Sequence, residues 1–163
     1  MFVKTPKILL TGIPSSGKTT FLYKVKLNEV ITTYPTLGLN VESIQLWNEE
    51  YIVLDLPFKN LRSCLQGDMF DIVGIIHLCR NGSQESKNSI FEVIDFLKSK
   101  KSNVPILVLM NSEEKTKPPI PQNYAEYARK LIDYPGKITF EWFSLLSSPD
   151  ARKFLMEHFL DML

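Results

Sequence analysis

The stretch Gly12–Thr19, which reads GIPSSGKT, limits the fold of this chain more than any other feature of its sequence. It matches the phosphate-loop pattern G-x-x-x-x-G-K-[ST] in full, between the apolar run Lys7–Thr11 and the helix-like stretch Gly17–Asn28. A glycine-rich turn before a helix directs unpaired backbone N–H groups toward one point, where the helix dipole adds partial positive charge. The motif therefore predicts a strand, a phosphate-binding loop and a helix, an arrangement typical of open α/β sheets that bind nucleotides.

The residue types in this loop suit a nucleotide bound together with Mg²⁺. The ammonium group of Lys18 would reach the terminal phosphates, and the hydroxyl of Thr19 would bind the metal. The predicted phosphate contacts are Gly12, Ser15, Ser16, Gly17, Lys18, Thr19 and Thr20. The alternative is a loop that now serves only the fold.

Short apolar runs alternate with amphipathic stretches along the whole chain. The predicted strands are Lys7–Thr11, Leu39–Trp47, Tyr51–Leu56, Ile72–Cys79, Pro105–Met110 and Lys137–Phe143, and the predicted helices are Gly17–Asn28, Ser86–Lys101, Gln122–Ile132 and a last one from Pro149. This alternation predicts an α/β fold with a doubly wound, mostly parallel six-stranded sheet and helices on both faces. A hairpin turn at Asn48–Glu50 would add one antiparallel edge strand. A single domain is expected to cover residues 1–163.

Composition narrows the class of protein. The net charge is +1, so no bulk electrostatic signal points to nucleic acid as a partner. The two cysteines have no metal-like spacing, and they favour a reduced, cytoplasmic protein. The apolar runs are too short to cross a bilayer. Any membrane association is therefore expected to be peripheral and to pass through a partner.

Two longer stretches carry a specific resemblance. Residues 17–26 read GKTTFLYKVK and residues 32–42 read TTYPTLGLNVE. These resemble the ADP-ribosylation-factor (Arf) and Arf-like small GTPases, which read GKTT(I/L)LYKLK and TTxPTIGFNVE. The resemblance implies a small-GTPase fold that binds GTP or GDP with Mg²⁺. It also implies that Thr36 is the switch threonine, and that Thr36 joins Thr19 and, through water, Asp55 around the metal.

The same resemblance implies a guanine site and a partner surface. Guanine contacts would come from Asn111 and Glu114, at the N and D positions of the family's N-K-x-D motif, and from Ser144 and Leu145 after the last strand. The implied effector surface consists of Leu37, Gly38, Leu39, Asn40, Leu54 and Met69. Its partner would be a protein effector or a complex subunit, with an exchange factor as a further partner. For Leu39 and Leu54, a place in the core is an open alternative.

The chain departs from the family where GTP hydrolysis is organised. The family reads D-V-G-G-Q after its third strand, whereas this chain reads Asp55-Leu-Pro57-Phe58-Lys59. Phe58 replaces a glycine whose N–H meets the third phosphate, and Lys59 replaces the glutamine that orients the attacking water. A lysine ammonium only donates hydrogen bonds, whereas orienting water also needs an acceptor. The sequence therefore predicts weak or absent hydrolysis and leaves open whether the chain is an enzyme.

Three alternatives to a GTP-binding switch follow from the sequence. Ser112, at the lysine position of N-K-x-D, and the changes at 57–59 favour a pseudoGTPase, an interaction module that binds nucleotide poorly or not at all. The run Asp55-Leu-Pro57 also resembles the beta subunit of the signal-recognition-particle receptor, but TTYPTLGLNVE argues against that family. A P-loop small-molecule kinase would need a basic lid, and the arginines are scattered at positions 62, 80, 129 and 152.

Overall fold

A six-stranded sheet organises the computed structural model, which describes residues 4–28, 38–64, 71–80, 83–112, 133–148 and 150–163. The strands are β1 Lys7–Gly12, β2 Asn40–Leu46, β3 Glu49–Asp55, β4 Ile72–Arg80, β5 Ile106–Asn111 and β6 Ile138–Phe143. Their order across the sheet is β2-β3-β1-β4-β5-β6. All neighbouring strands run parallel except β2 and β3, which are antiparallel. The predicted fold class, including the single antiparallel edge strand, is confirmed.

Helices connect and cover the strands. They are α1 Lys18–Leu27, α2 Leu61–Cys64, α3 Gln84–Ser99 and α4 Ala151–His158, with 3₁₀ turns at Phe58–Asn60 and Leu160–Met162. The predictions for α1, α3 and α4 are confirmed within a few residues, while the short α2 was not predicted. The predicted helix at 122–132 and the predicted helix start at Pro149 lie outside the described residues. Within the described part of the chain, none of these helices has the length and apolar character needed to span a membrane.

Side-chain caps begin two of the helices. Ser83 Oγ accepts a hydrogen bond from the Ser86 N–H at 3.2 Å and starts α3. Asp150 Oδ1 accepts one from the Lys153 N–H at 2.9 Å and starts α4. Such caps satisfy N–H groups that have no partner within the helix. By contrast, α1 follows Gly17, which has no side chain with which to cap the helix, so the helix N-terminus opens directly onto the phosphate loop.

Two hydrophobic clusters, one on each face of the sheet, hold the strands in place. On one face Phe21 of α1 and Leu155 of α4 pack together with Ile76 of β4. On the other face Val93 of α3 packs with Ile75. Adjacent residues of β4 thus serve opposite clusters, because successive side chains of a strand point to opposite faces. Burial on both faces fixes the register of the parallel strands, and the register aligns their carboxyl ends where the phosphate loop lies.

The hairpin turn lies one residue earlier than predicted. Leu46 pairs with Glu49, so Trp47 and Asn48 alone form the turn, and β3 begins at Glu49 instead of after Glu50. The hydroxyl of Tyr51 donates to Glu49 Oε2 at 3.0 Å, and the ladder with β2 extends to Glu49. Trp47 has a φ of 54°, and its side chain is 72% exposed. The sequence prediction placed Glu49 and Glu50 in the turn, whereas both lie in the exposed edge of a strand.

Candidate functional site

The phosphate loop follows β1 at the carboxyl edge of the sheet and leads directly into α1. Gly12 has a φ of 149° and Gly17 a φ of 95°, values that residues with a side chain rarely adopt. A Cβ on Gly12 would lie 2.4 Å from the carbonyl oxygen of Leu78 in β4, and one on Gly17 would lie 2.3 Å from Cδ1 of Leu145. Both glycines are therefore required by backbone conformation and by close packing.

Lys18 folds back over this loop. Its ammonium group donates to the carbonyl oxygens of Gly12 at 2.8 Å and of Ile13 at 3.0 Å, and the residue is buried. Burial lowers the pKa of Lys18 below the usual value of 10.5, although attraction to the Asp55 carboxylate opposes that shift. The loop thus holds a partly desolvated positive charge at its centre, which an anionic ligand would stabilise.

Thr19 and Asp55 meet beside the loop. Asp55 is the last residue of β3 and pairs in register with Leu10 of β1, so the sheet places its buried carboxylate next to the start of α1. The hydroxyl of Thr19 donates to Asp55 Oδ2 at 2.8 Å. A hydroxyl and a carboxylate oxygen are the hard ligands that Mg²⁺ prefers. The structure brings together two of the three predicted metal residues, and the third, Thr36, lies outside the described residues.

The phosphate loop contains a buried hydroxyl group that could donate to a bound phosphate. The hydroxyl of Ser16 is buried and has no hydrogen-bond partner among the residues described, which is uncommon for a buried polar group. The carbonyl oxygen of the neighbouring Ser15 accepts from the guanidinium of Arg80 at 3.3 Å. Together with the uncapped first turn of α1, the Ser16 hydroxyl offers donors to an anion seated in the loop. The loop therefore fits a nucleotide phosphate.

The predicted base side lies next to the phosphate loop. Asn111 ends β5 and pairs in register with Phe143, the last residue of β6. Asn111 Oδ1 accepts a hydrogen bond from the Leu145 N–H at 3.4 Å. The Ser144 hydroxyl accepts one from the Ser147 N–H at 3.0 Å. Asn111, Ser144 and Leu145 are thus gathered at one edge of the sheet, while Glu114 lies outside the described residues.

The segment after β3 contains the residues that depart from the family motif D-V-G-G-Q. Pro57, which has no N–H, precedes the 3₁₀ turn Phe58–Asn60. The Phe58 ring is half-buried and lies 6.2 Å from the His77 ring in an edge-to-face arrangement. Lys59 is exposed and, like Ile13 of the phosphate loop, lines a cavity of about 400 Å³. The local structure thus turns the Phe58 side chain toward α3 and β4, and leaves Lys59 at the cavity.

The implied effector residues are only partly described, because Leu37 and Met69 lie outside the described residues. Leu39 is 52% exposed and precedes β2, which begins at Asn40. Leu54 is half-buried and packs against the cluster on the α3 face. Leu39, which follows the predicted effector residue Gly38, is therefore a surface residue. Leu54 contributes to the core.

One lysine close to the site was not predicted. Lys24 of α1 is buried, and its ammonium group donates to the carbonyl oxygen of Leu145 at 2.6 Å. The sequence does contain a signal, because Lys24 lies three residues after Phe21 and one before Val25, on the apolar face of the helix. A polar residue at such a position predicts a buried contact but not its partner.

The family can be assigned from a direct comparison. A model of the ADP-ribosylation factor family matches residues 1–130 of the chain. The chain belongs to this family. The resemblance read from residues 17–26 and 32–42 is thereby confirmed.

A solved structure agrees with the fold of this ADP-ribosylation factor family member. The Arl6 BBS3 small GTPase from Trypanosoma brucei, solved with the bound nucleotide analogue GppNp, is 18% identical in sequence. The similarity covers 98% of this chain and 100% of that chain, with a TM-score of 0.71. The architecture is therefore that of a small GTPase. Guanine nucleotide with Mg²⁺ is the general ligand of the family, and effectors and regulators are its general partners.

Proposed function

We propose that this ADP-ribosylation factor family protein is a single domain that binds GTP or GDP with Mg²⁺ and acts as a switch or complex subunit by binding a protein partner. The observation that carries nucleotide binding is the buried Lys18 ammonium inside the phosphate loop, beside the Thr19–Asp55 hydrogen bond. This arrangement concentrates a positive charge, hydroxyl groups and a carboxylate where the phosphates and the metal of a nucleotide would lie.

Weak hydrolysis is the second part of the proposal. Pro57 lacks an N–H, and the bulky Phe58 stands where the family has a glycine. Lys59 is exposed and offers only donors to a water molecule. A partner protein cannot readily replace a missing water-orienting group, so the triphosphate state would persist. Switching of the protein would then depend on partner binding and nucleotide exchange more than on GTP hydrolysis.

We expect single-turnover GTP hydrolysis to be at least about tenfold slower than in small GTPases with an intact glutamine, whose intrinsic rates are on the order of 10⁻⁴ per second. Lys59→Gln alone should change the rate less than about threefold, since Pro57 and Phe58 remain. The triple variant Pro57→Gly, Phe58→Gly, Lys59→Gln should raise it by about tenfold or more. Rapid-quench measurement of phosphate release checks these rates. A wild-type rate comparable to that of a small GTPase with an intact glutamine would refute weak hydrolysis.

The nucleotide bound to the purified protein tests the proposal directly. The protein is denatured and the released nucleotide is identified by chromatography. Stoichiometric GTP supports a binding protein that does not hydrolyse, and GDP shifts attention to the hydrolysis rate above. No bound nucleotide, with no uptake of added GTP and Mg²⁺, would favour the pseudoGTPase alternative, to which Pro57, Phe58, Lys59 and Ser112 already point.

The proposed partner surface lies around the edge strand β2. Leu39 and Val41 are 52% and 53% exposed, and Val41 pairs in register with the half-buried Leu54. Exposed apolar side chains next to one another are typical of protein contact surfaces.

We place the protein in the cytoplasm, with membrane association only through such a partner and with no role for nucleic acid.

A further inference from the structure

Lys24 is a buried lysine whose ammonium group contacts other residues of the protein interior. Only 4% of the residue is exposed, although lysine is among the residues least often buried. The ammonium group donates to the Leu145 carbonyl oxygen at 2.6 Å and lies 5.8 Å from the centre of the Phe143 ring. A carbonyl oxygen and an aromatic face are both favourable neighbours of a desolvated cation. Lys24 thus binds the end of β6 and the loop that follows it.

Leu145 is held at three points. Its carbonyl oxygen accepts from Lys24, and its N–H donates to Asn111 Oδ1 at 3.4 Å. Its side chain packs so closely on Gly17 that a Cβ there would lie 2.3 Å from Leu145 Cδ1. The residue therefore connects the end of β5, helix α1 and the phosphate loop.

Helix α1 carries two kinds of contact on one rigid element. Its first turn holds Lys18 and Thr19, the proposed phosphate and metal residues. Lys24 lies six residues later, about 9 Å along the helix axis. The Lys24 contact therefore opposes displacement of the Leu145 loop relative to α1. It does so about 9 Å along the helix from the residues proposed to bind phosphate.

We propose that Lys24 is a positioning residue that holds the base-side loop at Leu145 in register with the phosphate loop, so that retention of guanine nucleotide and preference for guanine depend on it. This inference rests on the proposed nucleotide binding. Loss of the ammonium group would leave the buried Leu145 carbonyl without its donor and would remove one of the three contacts that hold the loop. Contacts to the base would weaken, whereas the contacts of Lys18 and Thr19 would persist.

The test measures nucleotide release and base preference in matched variants of the full chain. Lys24→Met keeps a long unbranched side chain without the donor, and Lys24→Arg restores a cationic donor. Lys26→Met is the control, because Lys26 lies on the same helix but pairs with Glu42 of β2 at a partly exposed position. The dissociation rate of a fluorescent GDP and the ratio of affinities for GTP and ATP are measured for each, together with the melting temperature of the nucleotide-free form.

Lys24→Met should release GDP about tenfold faster and lower the GTP-over-ATP preference by a similar factor. Lys24→Arg and Lys26→Met should stay within about threefold of wild type. A folded Lys24→Met protein with wild-type release and preference, or an equal effect of Lys26→Met, would overturn the positioning role. Should Lys24→Met fail to fold, Lys24→Leu, which also lacks a donor, is measured by the same criteria.

The two proposals fail in distinguishable ways. A wild-type protein that takes up no nucleotide overturns the proposed function and, with it, the role of Lys24. A wild-type protein that binds GDP tightly, beside a Lys24→Met variant with unchanged release, overturns only the role of Lys24.

Discussion

Replacing Lys18 with alanine should lower the affinity for GTP by at least about a hundredfold, because hydrogen bonds to charged groups contribute about 1.5–3 kcal/mol each and the ammonium group can make more than one to a triphosphate. The same replacement should change the stability of the nucleotide-free protein far less than it changes nucleotide affinity. Burial lowers the pKa of Lys18, so desolvation of its charge offsets the stability gained from its two hydrogen bonds to the loop carbonyls. Alanine removes both the desolvation cost and the hydrogen bonds.

Titration with a fluorescent GTP analogue and Mg²⁺, together with thermal unfolding of the nucleotide-free protein, checks both parts. Lys153→Ala is the matched control, because Lys153 is an exposed lysine on α4, 3.8 Å from Glu157. The control should bind nucleotide like the wild type. Undiminished binding by Lys18→Ala would mean that the phosphate loop is not the nucleotide site, and it would favour a loop that serves only the fold.

Acidification should destabilise the protein through His77, by up to about 1.4 kcal/mol per pH unit below pH 6.5. His77 lies on β4 and is only 1% exposed. Burial, aided by the nearby positive charge of Lys18, lowers the pKa of His77 from 6.5 to about 3. Between these two values the unfolded chain binds a proton that the folded protein does not, so the free energy of unfolding falls as the pH falls. The contribution is complete above pH 6.5.

Hydrogen bonding around His77 leaves no acceptor for a second proton among the residues described. The Ser89 hydroxyl donates its single proton to the Ser86 carbonyl oxygen at 2.7 Å. The hydroxyl is then left to accept at its 2.8 Å contact with His77 Nε2, an arrangement that favours a proton on Nε2. Nδ1 is buried without a hydrogen-bond partner in the described part of the chain. Protonation at Nδ1 would thus create an uncompensated buried charge.

The variant His77→Phe should remove this dependence on pH. Between pH 6 and 5 the wild type should lose about 1 kcal/mol more of its free energy of unfolding than His77→Phe does. Urea unfolding at a series of pH values measures the difference. His158→Gln serves as control, because His158 on α4 is partly exposed and lies 3.4 Å from Glu141. Parallel pH profiles of the wild type and His77→Phe would contradict the assignment of the acid sensitivity to His77.

The parts of the fold that were predicted depend on local properties of the sequence. Apolar periodicity located the six strands and the helices α1, α3 and α4, because the side-chain period differs between a strand and a helix. The turn between β2 and β3 was misplaced by one residue, since an exposed edge strand tolerates charged residues that also favour turns. The short α2 was missed, because four residues are too few to show a helical period.

The candidate site also contains features that the local sequence predicts and contacts that it does not. The strand, glycine turn and helix start of the phosphate loop were predicted correctly, because glycine conformation and an adjacent helix start are requirements that neighbouring residues express together. By itself, the sequence determined the fold class, the loop and the residue types that line it. Only the tertiary structure decided which distant side chains meet. The contact between Thr19 and Asp55 depends on the pairing of β1 with β3, and that between Lys24 and Leu145 on helix packing across the end of β6. Such contacts join residues far apart in the chain, and their partners follow from strand register and helix packing, which no local pattern encodes.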